Sequence, residues 1–190
     1  ANQAKAVRRM RRSASAFGAR GTAIAAAASL GLTLGAVVPP ASAVTGVPEL
    51  LADIEAGDGS SYPRHLETMG GFTYFAAEDS VNGAGLWKTD GTAAGTTLIK
   101  SLTTPGYGYG AENLTAVGGI LFFTATDDAG TELWKSDGTT AGTVRVADIY
   151  AGVDSGYPEH LVDVGGTLFF TATDGTHGIA EGVADDGALR

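Results

Sequence analysis

ELWKSDGT at residues 132–139 and GLWKTDGT at residues 85–92 are two copies of one eight-residue motif, and the rest of the chain is organised around them. Their tryptophans, Trp87 and Trp134, stand 47 residues apart. The spacing continues outward on both sides. Asp53-Ile54 aligns with Ser101-Leu102 and Asp148-Ile149, Met69-Gly70-Gly71 with Val117-Gly118-Gly119 and Val164-Gly165-Gly166, and Phe75 with Phe123 and Phe170, at offsets of 48 and then 47. The first copy therefore carries one extra residue between Phe75 and Trp87, which belongs in a loop. Three units follow, at residues 53–100, 101–147 and 148–190, after a short linker at 44–52.

Within the second unit, turn signals separate four short runs that read as strands, near residues 113–117, 120–126, 132–136 and 143–149. Leu121-Phe122-Phe123 and Leu133-Trp134 place bulky side chains on both faces of their strands, because successive side chains alternate. Both faces must be covered, as happens when a four-stranded blade lies between two neighbours. The expected fold is all-β: tandem four-stranded repeats of about 47 residues, arranged as propeller-like blades in an incomplete array. A β-trefoil is the alternative, since three such units suit residues 44–190.

The motif residues read as structural. Trp87 and Trp134 recur at one repeat position beside Leu86 and Leu133, as core between blades does. In Asp90-Gly91-Thr92 and Asp137-Gly138-Thr139 the carboxylate can accept a backbone N–H two residues on, and the glycine can adopt positive φ. Gly95 and Gly142 supply a second bend.

ELWKSDGT followed by TAGT, and then VGGTLFFTATDG at residues 164–175, resembles the ELWxxDGT repeat family of secreted bacterial proteins, over about residues 50–178. The resemblance implies an extracellular repeat protein and names no reaction. Three positions depart from its pattern. Gly85 stands for the motif Glu, Ser101-Leu102 replaces the Asp-Ile start, and Glu181 falls where the spacing calls for Trp. Residues 178–190 carry no ELW, so the third unit is read as degenerate or truncated after Gly178.

Residues 1–43 read as an export signal. Lys5, Arg8, Arg9, Arg11, Arg12 and Arg20 precede an uncharged Ala/Gly/Leu run at 21–38, and Ala41-Ser42-Ala43 is a small-residue cleavage site. The expected cut follows Ala43, and Met10 before Arg11-Arg12 gives a more ordinary translation start. The run is short and Ala/Gly-rich, so no membrane span is expected after cleavage. Arg11-Arg12 leaves the twin-arginine route open beside the general one.

Residues 44–190 hold the other six bases and all 21 acids, a net charge of −15. Such a surface repels nucleic acid and anionic lipid and favours cations or neutral ligands. The chain has no cysteine, so it has neither a disulfide framework nor a thiolate site. Its 29 glycines follow no G-X-Y period and serve turns.

No catalytic residue is expected, because the serines lie in no G-x-S-x-G elbow and the glycines form no phosphate loop. Acids after the LFFTA strand (Glu78-Asp79, Asp127-Asp128 with Glu132, and Asp174) could together offer oxygens to calcium, the one cofactor the loops suggest. The same holds more weakly for Asp53/Asp58 and Asp148/Asp154. His65, Asn113 and His160 share a repeat position, which suggests a recurring hydrogen bond. His177 stands alone. Tyr107 and Tyr109 lie in PGYGYG at 105–110, a loop that breaks the repeat. The function expected is a secreted binding, adhesion or cell-surface scaffold, with an extracellular protein or glycan as partner and oligomerisation through unpaired outer repeats. The alternatives are a secreted hydrolase or lyase on the same scaffold, and a truncated fragment with no function of its own.

Overall fold

The computed structural model describes residues 49–103, 110–185 and 188–189. The expected export signal at 1–43, most of the linker and Tyr107 and Tyr109 lie outside the described residues. Those described form strands and loops with no helix, in three antiparallel four-stranded sheets. The first contains β1 (Arg64–Met69), β2 (Phe72–Asp79), β3 (Gly83–Thr89) and β4 (Thr97–Ser101); the second β5 (Glu112–Val117), β6 (Ile120–Asp127), β7 (Gly130–Ser136) and β8 (Val144–Arg145); the third β9 (Glu159–Val164), β10 (Thr167–Thr173), β11 (Ile179–Asp185) and β12 (Ala188–Leu189). In each sheet the strands lie side by side in chain order. Gly118 and Gly119, at φ +59° and +86°, join β5 to β6, and the other two Gly-Gly pairs join the first two strands of their sheets in the same way. Two consecutive positive φ values are what a two-residue hairpin turn needs to match strand twist.

The first strand of every sheet carries a bulge. The residue turned into the left-handed region there is His65, Asn113 or His160, with φ between 52° and 54°. Asn113 Nδ2 donates to Thr124 Oγ1 (3.2 Å), and His160 Nδ1 meets Thr171 Oγ1 (3.1 Å), so the recurring bond expected at this position exists in the second and third sheets. In the first sheet the equivalent of Thr124 is Ala76, which has no hydroxyl to offer. A left-handed residue also sits three positions earlier, at Tyr62, Gly110 and Tyr157.

Both faces of the middle sheet are covered, as the side-chain alternation requires. Leu121, Phe123, Ala125 and Trp134 pack with Tyr74, Ala76, Leu86 and Ile99 of the first sheet. Phe122 and Leu133 point the other way, into a core with Leu168, Phe170, Ala172 and Ala184 of the third. The first strands of successive sheets lie together, β1 against β5 and β5 against β9. Trp87 occupies a different setting from Trp134: with Phe75 and Ala77 it lies on the outward face of the first sheet, under Ile54 and Leu98, and not between two sheets.

Two local expectations need correction. The run at 143–149 pairs only over Val144–Arg145, and Val146 adds one further bond to Leu133 O (2.8 Å). Beyond it the Glu132 carboxylate captures the Ile149 N–H (2.9 Å) and draws the chain off the sheet. In the first sheet, where Gly85 replaces that glutamate, β4 runs on to Ser101 against Gly85. A Cβ at Gly85 would come within 2.6 Å of Lys100 O and 2.7 Å of Leu98 Cδ1, so the missing side chain is what admits the longer strand.

The second correction concerns the third unit. Register places Gly182, not Glu181, opposite Phe170, where Trp87 faces Phe75 and Trp134 faces Phe123. The third unit shares the extra residue of the first, so a constant spacing misses by one. The Phe170 ring fills the space a side chain at Gly182 would need. Glu181 takes the place of Leu86 and Leu133, and β11 pairs along β10 without the motif because main-chain bonds do not require it.

Candidate functional site

The DGT segments are built alike to within a tenth or two of an ångström. Asp90 Oδ1 accepts the N–H (2.9 Å) and hydroxyl (2.7 Å) of Thr92, and Asp137 Oδ1 does the same for Thr139. Each threonine hydroxyl then accepts the N–H of Gly95 (2.9 Å) or Gly142 (3.0 Å). Gly91 and Gly138 turn the chain at φ +89° and +87°. A Cβ on Gly95 or Gly142 would collide with the Asp90 or Asp137 carboxylate. The motif thus spells a hydrogen-bonded turn in which every named residue has a use. The second copy also docks on the first sheet, where Gly138 lies against Tyr74 and its carbonyl accepts Lys88 Nζ (2.8 Å). Replacing Gly142 by Ala should therefore force the turn open and destabilise the protein by about 1–3 kcal/mol, the usual result of overpacking. Urea unfolding measures this, and an unchanged midpoint would refute the steric account.

The same turns have an acid signature. Asp90 and Asp137 are held below the ordinary carboxylate range, first by the hydroxyls of Thr92 and Thr139 and then by their N–H groups. Asp174 is lowered too, chiefly by the His177 side chain, which it meets at 2.7 Å, so His177 is not alone in its loop. Lowered carboxylates stabilise the fold at pH above their unfolded value of about 4, and this contribution disappears as pH falls through the folded values. Glu132 has the opposite sign: burial raises it, so its contribution is present at low pH and lost as pH rises through its folded value. Stability should fall on acidification below about pH 4, with a shallower fall in Asp137→Asn. Unfolding midpoints between about pH 6 and about pH 2 test it, and equal slopes would count against the turn carboxylates.

Several of the loop acids expected to gather oxygens have other partners. Asp79 accepts the Val81 N–H (2.9 Å) and the Asn82 side chain (2.8 Å). Asp127 accepts the Ala129 N–H and pairs with Arg145, both at 2.9 Å. Asp148 accepts the Gly152 N–H (3.3 Å). Among the described residues, no group of three His, Cys, Asp or Glu side chains is placed to hold a metal ion.

Glu132, counted with the loop acids in the sequence, belongs elsewhere. It is fully buried, and its two oxygens accept the N–H groups of Ile149 (2.9 Å) and Gly156 (2.8 Å) from the connector between the second and third sheets. A Cβ on Gly156 would approach Glu132 Oε2 to 2.9 Å, so the connector comes this close only as glycine. The first residue of ELW is a staple between units. Its signal in the sequence was the pairing of a motif Glu with a connector glycine 24 residues later.

That staple sets one wall of a cleft of about 170 Å³ between the second and third sheets. Glu112, Asn113, Thr124, Thr126 and Thr131 line it from one side, and Tyr157, Pro158 and Glu159 from the other. Tyr157 N–H donates to Thr131 O (3.2 Å), and Pro158 is buried, so the far wall is anchored at three successive residues. Tyr157 itself remains 62% exposed, at φ +46°. The Thr126 and Thr131 hydroxyls bond each other (2.7 Å), and Thr124 takes the Asn113 amide. Among the described residues, no basic side chain lines the cleft. The corresponding place between the first and second sheets has Ala84 for Thr131 and Gly110 for Tyr157, the two in contact. None of the cleft residues belongs to the repeated motif.

No protein-family model matches this chain. No curated protein matches it either.

Proposed function

We propose that this protein is a secreted binding scaffold: an open, propeller-like arc of stacked sheets that presents its inter-sheet clefts and end faces to an extracellular protein or glycan. The observation that carries this reading is the full structural use of the motif. Trp134 and the second DGT turn join the first two sheets, Trp87 packs within the first unit and the first DGT turn is closed on itself, which leaves recognition to the non-repeating residues between them. The export signal and the ELWxxDGT resemblance supply the extracellular setting. Supporting an arc over a β-trefoil, β5 touches both β1 and β9, while no comparable contact joins β9 to β1.

The end faces support self-association as a further property. Val164 is 56% exposed where its equivalent Val117 is 4%, and Phe169 is 37% exposed where Phe122 is 1%. Glu181, standing where Leu86 and Leu133 are buried, moderates this face. Exposed apolar sheet surface of this kind favours association. Secreted protein should begin at Val44 by mass spectrometry, and it should bind cell-surface material while turning over no glycan or peptide substrate. Retention of residues 21–38 in the released chain, or turnover of a bound glycan, would overturn the reading in favour of an unprocessed chain or of an enzyme.

A further inference from the structure

We infer that the cleft between the second and third sheets takes a cationic side chain, the ammonium of lysine or the guanidinium of arginine, offered by a protein partner. The inference deepens the binding-scaffold reading and rests on it. Three features of the cleft combine. Part of the neutral donor capacity that lines it is already engaged, Asn113 Nδ2 with Thr124 and the hydroxyls of Thr126 and Thr131 with each other. The charged groups of the lining are acceptors only, the carboxylates of Glu112 and Glu159, and Asn113 Oδ1 adds a further acceptor. Lysine and arginine are donors without acceptors and fit such a lining. A sugar hydroxyl can donate to the same carboxylates but brings no positive charge to balance theirs.

The second feature is Tyr157, whose ring is exposed at the rim where a cation can lie over an aromatic face. Its wall is anchored by the Gly156, Tyr157 and Pro158 contacts, so little ordering is needed on binding. The third is size and charge. At about 170 Å³ the cleft is smaller than pockets for whole drug-sized ligands and suits a single side-chain head. The −15 charge of residues 44–190 draws cations toward it and repels anions.

The test titrates the full chain with the acetylated, amidated peptides Gly-Lys-Gly, Gly-Arg-Gly and Gly-Gln-Gly, with methylammonium and with glucose, following binding by NMR. The Lys and Arg peptides should bind and the Gln peptide should not. Affinity should weaken several-fold between about 20 mM and about 200 mM salt, as screening sets in. Glu112→Gln with Glu159→Gln should abolish binding, while Tyr157→Ala should weaken it about 3–5-fold. Equal binding of the Gln peptide, unchanged affinity in the double variant, or no peptide binding at all would overturn the inference. Methylammonium bound as tightly as the peptides would make this a free-amine site, and glucose bound through Tyr157 alone a sugar site; either result also overturns it. If the double variant loses the peptides yet still binds cell-surface material, the scaffold reading stands on other surfaces. If wild-type protein binds the peptides but no cell-surface material, the cleft stands and the scaffold reading falls.

Discussion

Trp134→Ala should lower the stability of the protein by about 3–5 kcal/mol, the range for deleting a large core aromatic. The ring is buried between the first and second sheets, stacked on Phe123 at 6.3 Å, with Lys100 Nζ of the first sheet 5.8 Å from its centroid. Its removal would empty the middle of the interface. The indole N–H is buried and has no partner among the described residues, so Trp134→Phe should recover most of the loss, since phenylalanine leaves no donor unpaired. Trp87 differs, because its N–H donates to Ala77 O (3.2 Å) and Trp87→Phe forfeits that bond. Thermal and urea unfolding of the three variants provide the comparison. A Trp134→Ala protein that melts like wild type but no longer binds its partner would mean that the ring is a ligand platform after all.

Glu132→Ala should be nearly as costly, about 2–4 kcal/mol, for a different reason. The carboxylate is the acceptor for two connector N–H groups, those of Ile149 and Gly156, and each buried donor left without a partner costs about 1–3 kcal/mol. Loss of a desolvated charge offsets part of this. Glu132→Gln does not repair the site, because one of its two terminal atoms is a donor facing a donor. Hydrogen exchange locates the effect. The amides of Ile149 and Gly156 should lose protection well before those of β6, and uniform loss across all three sheets would show that Glu132 acts on the whole fold and not on the connector.

Much of the architecture was legible because it follows from periods that survive mutation. Alternation along Leu121-Phe122-Phe123 required two covered faces, and Gly118-Gly119 required a tight hairpin; both are local constraints. The Asp-Gly-Thr turns were legible for the same reason, since their hydrogen bonds span two or three residues. The Glu132 staple was not, because a carboxylate beside a loop reads as solvated until its partners 17 and 24 residues away are known to fold over it. The Trp position of the third unit was misplaced by one residue because a loop insertion changes the count without changing the pairing. The cleft was invisible for a further reason. It has no contiguous signal and exists only where Thr131 of one unit meets Tyr157 of the next.

The chain order of the strands has a kinetic consequence. Every strand pairs only with its immediate neighbour in sequence, and no sheet borrows a strand from a distant part of the chain. Contacts so short in sequence keep the contact order low for an all-β protein, and low contact order goes with rapid folding. Each hairpin closes a loop of only a few residues before the next begins, and each finished sheet offers its trailing face as a template for the sheet that follows. Were the chain exported unfolded from its amino end, as one route of the proposed secretion would have it, it could therefore order itself sheet by sheet as it emerges, without waiting for its far end to arrive.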